Sequence, residues 1–257
     1  MTAAPRDDDN DLRPAIRLDP KTNAPLVRRI FEQTGRVHVT GILDAAAARR
    51  LHQCLARETA WSVAIGDEGR SHDLAVASLE ELDPEARDEL VTGLNHAAAR
   101  GFAYRYANFR IDEHYAAARH RDSYLMAFYE FLNSPEFLEF ARAATGFPDI
   151  GFADAQATLY RAGDFLTWHD DDVAGKNRRA AYVFNFTPQW RSDWGGLLAF
   201  PDAYGHLHEA YQPAFNALNL LRVPTPHFVS QIASFAPAGR YSITGWLRAG
   251  QPARSSA

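Results

Sequence analysis

The segment "YRAGDFLTWHDDD", residues 160–172, holds the residues with most chemical promise. His169 and Asp171 stand two apart, so on an extended segment both side chains point the same way. An imidazole nitrogen and a carboxylate oxygen suit a divalent iron-type ion, but two protein ligands are too few to hold one. The third has to come from a distant strand, and His227 opens the run "HFVSQI" after the turn "VPTP". Two histidines and one carboxylate on one face of an iron(II) ion leave its other positions open to small ligands. On the sequence alone a hydrogen-bonded acidic turn also accounts for His169 and Asp171, and a satisfied strand histidine for His227.

Arg240, in "RYSITGW", adds an independent signal. By two-residue alternation Arg240, Ser242, Thr244 and Trp246 share one face of a strand. An arginine aimed into a sheet interior is costly unless an anion meets it. A guanidinium with a nearby hydroxyl suits the carboxylate of a dicarboxylic co-substrate, and an internal salt bridge is the competing reading. Weaker candidates surround this set. His206 and His208 in "GHLHE" have metal-type spacing but lie in a turn-rich connection, and no arginine follows them in pattern. Asp170 and Asp172 alternate away from His169 toward solvent. Trp190 and Trp194 read as packing, and the glycines of "WGGLLAF" as a bend or a close approach of backbones.

The elements that must position these residues fall into two textures. Residues 1–24 carry Asp7, Asp8, Asp9 and Asp11 and read as a flexible acidic tail. From residue 25 to 150 the pattern is mainly helical. A short strand "RVHVTGIL" precedes an Ala-rich helix capped by Asp44, with Cys54 on its apolar stripe. A helix over 84–100 has Asp83 as cap, one is expected over 124–132, and Ser134-Pro135-Glu136 opens another that Gly146 ends. From 151 to 250 short β-type runs alternate with turn clusters, as in an antiparallel sandwich. The expected class is α+β, one domain over 25–257, with a helical N-terminal half packed on a C-terminal jelly roll.

Composition narrows the functions. Across 257 residues, 27 basic against 32 acidic residues disfavour broad nucleic-acid or anionic-membrane binding. No apolar run approaches the about 18 residues of a spanning helix. A single cysteine, with no basic–apolar leader at the N-terminus, fits a cytoplasmic protein without disulfides.

Five blocks occur in order over residues 156–247: "YRAGDFLTWHDD", "RRAAYVFNFTPQW", "WGGLLAF", "PAFNALNLLRVPTPHFV" and "RYSITGW". Together they resemble the iron(II)/2-oxoglutarate-dependent oxygenases, and among them the prolyl-hydroxylase branch. The resemblance implies a double-stranded β-helix with His169, Asp171 and His227 as iron ligands. It implies that Arg240 pairs with the 2-oxoglutarate C5 carboxylate with Ser242 beside it, that Tyr160 lines the co-substrate pocket, and that Trp246 borders the substrate cleft. Val183 and Phe184 stand where some prolyl hydroxylases carry a tyrosine on that carboxylate. The thirteen-residue step from His227 to Arg240 calls for a wide loop over 233–239.

The implied activity is a dioxygenase using Fe(II), 2-oxoglutarate and O2, with ascorbate as a candidate reductant. It would hydroxylate a C–H bond, most readily of a prolyl residue in a protein or peptide, with small molecules next. Two other classes compete: a zinc-dependent hydrolase on the same three ligands, and a non-catalytic iron- or oxygen-sensing module. Oligomeric state is not readable from the sequence.

Overall fold

The computed structural model describes residues 13–67 and 70–251. The elements run α1 (Ala24–Thr34), β1 (Arg36–Thr40), α2 (Ala45–Arg57), β2 (Ser62–Asp67), β3 (Arg70–Ala75), α3 (Val76–Glu80), α4 (Pro84–Ala98), β4 (Ala103–Arg110), α5 (Ile111–Ala116), α6 (Tyr124–Leu132) and α7 (Pro135–Thr145). The second half continues β5 (Ile150–Ala153), β6 (Gln156–Tyr160), β7 (Phe165–His169), β8 (Arg178–Asn185), β9 (Leu198–Pro201), β10 (Leu207–Tyr211), β11 (Ala217–Arg222), β12 (His227–Val229) and β13 (Arg240–Ala249).

The helices start where local chemistry satisfies their free N–H groups. Asp44 accepts from Ala46 and Ala47, Asp83 from Ala86, and Ser134 from Phe137, with proline at the first turn of α4 and α7. Along β8 the two-residue alternation decides the layers. Tyr182, Phe184 and Phe186 point one way and pack edge-on against Phe128 of α6 and Phe137 of α7. Ala181 and Val183 point the other way, into a cavity. Burying those aromatics anchors the helical layer, and Phe→Ala at such a site costs about 3–5 kcal/mol. Cys54 is fully buried in α2 among Ala47, Ala48, Leu51 and Leu55, and burial pushes its thiol up.

The strands form one antiparallel sheet in the order β1-β11-β8-β13-β6-β4-β7-β12-β9-β10, with β2 against β4, β3 against β2, and β5 against β13. The sheet folds over on itself into a nearly closed, jelly-roll barrel. Its two outer strands meet through side chains: Arg36 of β1 pairs with Glu209 of β10, and the His38 and Tyr211 rings lie 5.3 Å apart.

Two expectations are refined. The N-terminal half is mainly helical, with α1 to α7, but it also lends β2, β3 and β4 to the sheet. Strand β4 is the seam of the fold. Its C-terminal residues pair with β6 and its N-terminal residues with β7. Its polar and aromatic side chains face a cavity instead of a dry core, so the apolar alternation that marks a strand is missing. The tail expected over 1–24 is also shorter at its C-terminal side. Leu18 bridges to Leu43 and donates to Glu136, and Tyr124 donates to the Pro14 carbonyl. The acidic run of Asp7 to Asp11 lies outside the described residues. Among the described residues, no helix is long and apolar enough to cross a membrane.

Candidate active site

Strand β7 ends on His169 and β12 begins on His227, and the antiparallel register sets these two residues directly opposite each other. Their ring centroids are 4.1 Å apart. Each ring is oriented in the same manner. His169 Nδ1 donates to the Thr167 carbonyl at 2.9 Å, and His227 Nδ1 donates to the Thr225 carbonyl at 2.7 Å. A carbonyl only accepts, so Nδ1 carries the proton and the Nε2 lone pair is free. Such back-side bonds fix the tautomer and aim of a metal-binding imidazole. Burial first, and then His227, lowers the His169 pKa, which keeps the ring neutral and ready to ligate.

Asp171 completes the group. Its Oδ1 is 3.6 Å from His169 Nε2 and its Oδ2 is 3.6 Å from His227 Nε2. These gaps are too long for hydrogen bonds. All three donor atoms lie within 4.8 Å of one another, around a space rather than in contact with each other. That donor set suits Fe(II) and leaves further positions open. The route to this geometry differs from the expected strand alternation. Asp171 lies past the end of β7 with φ +66°, a left-handed conformation that aspartate tolerates better than most residues. A turn, not a pleat, brings its carboxylate back beside His169.

The same cavity, of about 630 Å³, is lined on other strands by Arg240, Ser242, Thr158 and Tyr160. Arg240 is 2% exposed, and its Nε has no hydrogen-bond partner. No carboxylate among the described residues pairs with it. The Tyr160 ring, 5.1 Å from the guanidinium carbon, is its neighbour across the β13–β6 ladder. Burial lowers the Arg240 pKa. A buried, unpaired guanidinium is expensive, so the internal salt bridge that competed for this residue is not the arrangement found. Ser242 and Thr158, paired in register, share a hydroxyl–hydroxyl hydrogen bond of 2.9 Å.

The long step from His227 to Arg240 is a wide loop, as its length requires. It carries the chain from β12 to β13, which have β6, β4 and β7 between them in the sheet order. The loop is pinned by bonds from Ser230 N to the Leu197 carbonyl, from Ile232 N to the Asp164 carbonyl, and from Ala233 N to the Trp194 carbonyl. Gly195 and Gly196, at φ +73° and +64°, make room for it. A Cβ on Gly195 would sit 2.0 Å from the Gln231 carbonyl oxygen, and one on Gly196 would crowd Ile232 and the Arg240 stem. Trp190 and Trp194 pack edge to face over this turn, with Trp190 Nε1 donating to the Gly195 carbonyl.

Trp246 lines the cavity, with its backbone N–H bound to Asp154 and the Arg178 guanidinium 3.4 Å over its ring. Of the pair Val183 and Phe184, only Val183 faces the cavity. His206 and His208 lie elsewhere and exposed, with His208 bound to Asp202. Asp170 lies at the cavity edge, with its carbonyl accepting from Thr225 N.

Sequence reasoning missed Phe102, Tyr104, Tyr106 and Arg178. Phe102, Tyr104, Tyr106 and Tyr160 form a continuous aromatic wall, with successive centroids 5.5, 5.4 and 5.0 Å apart. Phe102 also lies 5.6 Å from the His169 ring. The i, i+2 spacing of Tyr104 and Tyr106 was the available signal for a strand facing a cavity.

Residues 155–248 match the 2OG-Fe(II) oxygenase superfamily. That superfamily uses Fe(II), 2-oxoglutarate and dioxygen, and the matched segment contains His169, Asp171, His227 and Arg240. No curated protein sequence matches the chain. Solved structures share the oxygenase fold at low identity. A prolyl hydroxylase from Trichoplax adhaerens, in complex with a hypoxia inducible factor peptide fragment, is similar at TM-score 0.59 and 16% identity, covering 88% of this chain and 89% of that one. A Pseudomonas putida prolyl-4-hydroxylase is similar at TM-score 0.52 and 20% identity, covering 89% of this chain and all of that one. A 2OG-Fe(II) oxygenase family oxidoreductase from Burkholderia pseudomallei gives TM-score 0.56 and 14% identity, covering 88% and 91%.

Proposed function

We propose that this protein is an iron(II)- and 2-oxoglutarate-dependent dioxygenase that hydroxylates a prolyl residue of a protein or peptide in the cytoplasm. The observation that carries the reading is one cavity holding both a three-donor gap and a buried guanidinium with no carboxylate of its own. Bound iron with 2-oxoglutarate and dioxygen supplies the oxidation, in which the co-substrate leaves as succinate and carbon dioxide while a C–H bond becomes C–OH. The chain's own work is to hold, orient and exclude water.

His169 and His227 would present neutral Nε2 atoms and Asp171 a carboxylate oxygen to the iron. Arg240 would receive the far carboxylate of 2-oxoglutarate through its guanidinium fork, with the Ser242 and Thr158 hydroxyls beside it. Tyr160 would wall the co-substrate, and Trp246 would border the substrate cleft. A zinc hydrolase on the same ligands leaves Arg240 without a task. The prolyl assignment draws on two fold neighbours that are prolyl hydroxylases, one of them holding a peptide. The cytoplasmic assignment draws on the single, buried Cys54.

The test is turnover of 2-oxoglutarate to succinate by protein loaded anaerobically with Fe(II), then exposed to O2 with proline-containing peptides, free amino acids or neither. Succinate stimulated by peptide, with one oxygen gained on proline by mass spectrometry, is the expected result. Stimulation only by a free amino acid would move the substrate class. Absence of succinate under every condition would overturn the oxygenase reading.

A further inference from the structure

We infer that Arg178 is a positioning residue: it holds Asp171 in its ligand-presenting conformation by binding that residue's backbone carbonyl. The inference rests on the proposed metal site. Asp171 stands outside the β7 ladder with φ +66°, so no strand pairing keeps its carboxylate aimed between the histidines. What does reach it is the Arg178 guanidinium, whose Nη1 donates to the Asp171 carbonyl at 2.9 Å. Arg178 is the first residue of β8, and this bond closes the loop over 172–177 into a ring.

The guanidinium is itself held rigidly. Its carbon lies 3.4 Å over the Trp246 ring, and the Trp246 backbone N–H is fixed to Asp154 Oδ1 at 2.7 Å. The rest of the loop is tied to the same strand, β13, by Arg248 Nε donating to the Lys176 carbonyl and Ala249 N donating to the Asn177 carbonyl. A chain of contacts therefore runs from Asp154 through Trp246 and Arg178 to Asp171. Burying Arg178 for this bond alone is costly, since its Nε is enclosed without a partner and no carboxylate is paired with it among the described residues. The bond to Asp171 is the one side-chain hydrogen bond Arg178 makes among the described residues.

Positioning can be separated from simple charge because the two predict opposite signs. A cation near a metal ion repels it, so deleting Arg178 for electrostatic reasons alone should tighten metal binding. Losing the brace on Asp171 should weaken it.

The experiment measures Co(II) binding anaerobically, without 2-oxoglutarate, by calorimetry and by the cobalt absorption bands. It compares the parent chain with Arg178→Met, which keeps the stem over Trp246, and with Arg178→Lys. Loss of an outer partner of a metal ligand typically costs about ten- to a hundredfold in affinity. The expected result is a loss of that size for Arg178→Met with altered cobalt bands, a smaller loss for Arg178→Lys, and unchanged 2-oxoglutarate affinity at saturating cobalt. Unchanged or tighter cobalt binding in either folded variant would overturn the inference alone. If Arg178→Met does not fold, the Arg178→Lys affinity decides. A parent protein that takes up no cobalt would overturn the metal-site reading and this inference with it.

Discussion

The His169–Asp171–His227 cluster and the arginine cluster share one cavity but are built differently. His169, Asp171 and His227 sit where strands end, with the Asp171 carboxylate supplied by a left-handed turn. Arg240 opens β13 opposite Tyr160 of β6, and Ser242 and Thr158 sit within paired strands; each of the three is at most 2% exposed, and Ser242 is paired in register with β6 on one side and β8 on the other. Ladder pairing gives Arg240 a fixed address, and its enclosure forces desolvation. A turn past the end of β7 gives up that pairing and gains the freedom to bring Asp171 between two paired histidines. Substitutions in the first cluster should therefore abolish metal uptake with little effect on folding, and those in the second should weaken co-substrate binding while metal uptake survives.

The largest effect is expected where three ligands leave no spare. His169→Ala or Asp171→Ala should abolish metal uptake and succinate formation while the thermal midpoint of the metal-free protein stays near that of the parent. Metal analysis beside a melting curve checks this. Normal turnover in either variant would move the metal elsewhere, and the exposed His206 and His208 would be the first place to look.

Arg240→Ala should break the comparison from the other side. Charge-assisted hydrogen bonds contribute about 1.5–3 kcal/mol each. Losing the pair should weaken 2-oxoglutarate binding by roughly a hundredfold to ten-thousandfold, at about 1.4 kcal/mol per decade. Metal content should survive. Because the ligand-free guanidinium is buried without a carboxylate, Arg240→Met should leave the apo protein as stable as the parent or more so. Titration of both variants with 2-oxoglutarate, alongside apo melting curves, tests both halves. A loss of stability without a loss of affinity would make Arg240 a structural residue.

How much of this was legible follows the same divide. The arginine strand was readable because two-residue alternation fixes which residues share a face, and "RYSITGW" keeps that alternation. The convergence of His169, Asp171 and His227 was readable from type and order, but the turn at Asp171 was not, since backbone handedness at one aspartate leaves no mark in spacing. Strand β4 escaped because its cavity-facing residues, Tyr104 and Tyr106, are half-polar. Arg178 escaped because its partner is a backbone carbonyl, which every residue has. The capped helices were readable because caps act within three residues.

Asp154 offers a pH-dependent way to sharpen the contrast, since it anchors β13 through the Trp246 N–H. Burial raises its pKa to about 6, from an ordinary 3.8. Between those values the native protein holds a proton that the unfolded chain has released. Stability from this group is therefore lost as pH rises through that window and stays lower above it. Asp154→Asn keeps an acceptor for Trp246 and removes the titration. It should gain up to about 3 kcal/mol over the parent at pH 7.5, with the difference vanishing below about pH 4. Melting curves across pH check it, and a gap independent of pH would mean that burial does not control this carboxyl.

The smallest effect is expected at Ser242, and it asks whether the buried cluster works as one unit. Ser242 and Thr158 share a single hydrogen bond, so of their two protons one is engaged and one remains free to meet an anion beside Arg240. Ser242→Ala removes one hydroxyl, but Thr158 then turns its proton toward the same anion. The loss in 2-oxoglutarate affinity should be about 1 kcal/mol, or roughly fivefold, well below that of Arg240→Ala. Removing both hydroxyls, with Thr158→Val added, should cost more than the two single changes together, because each residue covers for the other. Calorimetric titration of the four proteins gives the coupling directly. Strictly additive losses would mean that the two hydroxyls bind separately, and no loss in the double variant would mean that the guanidinium alone holds the carboxylate.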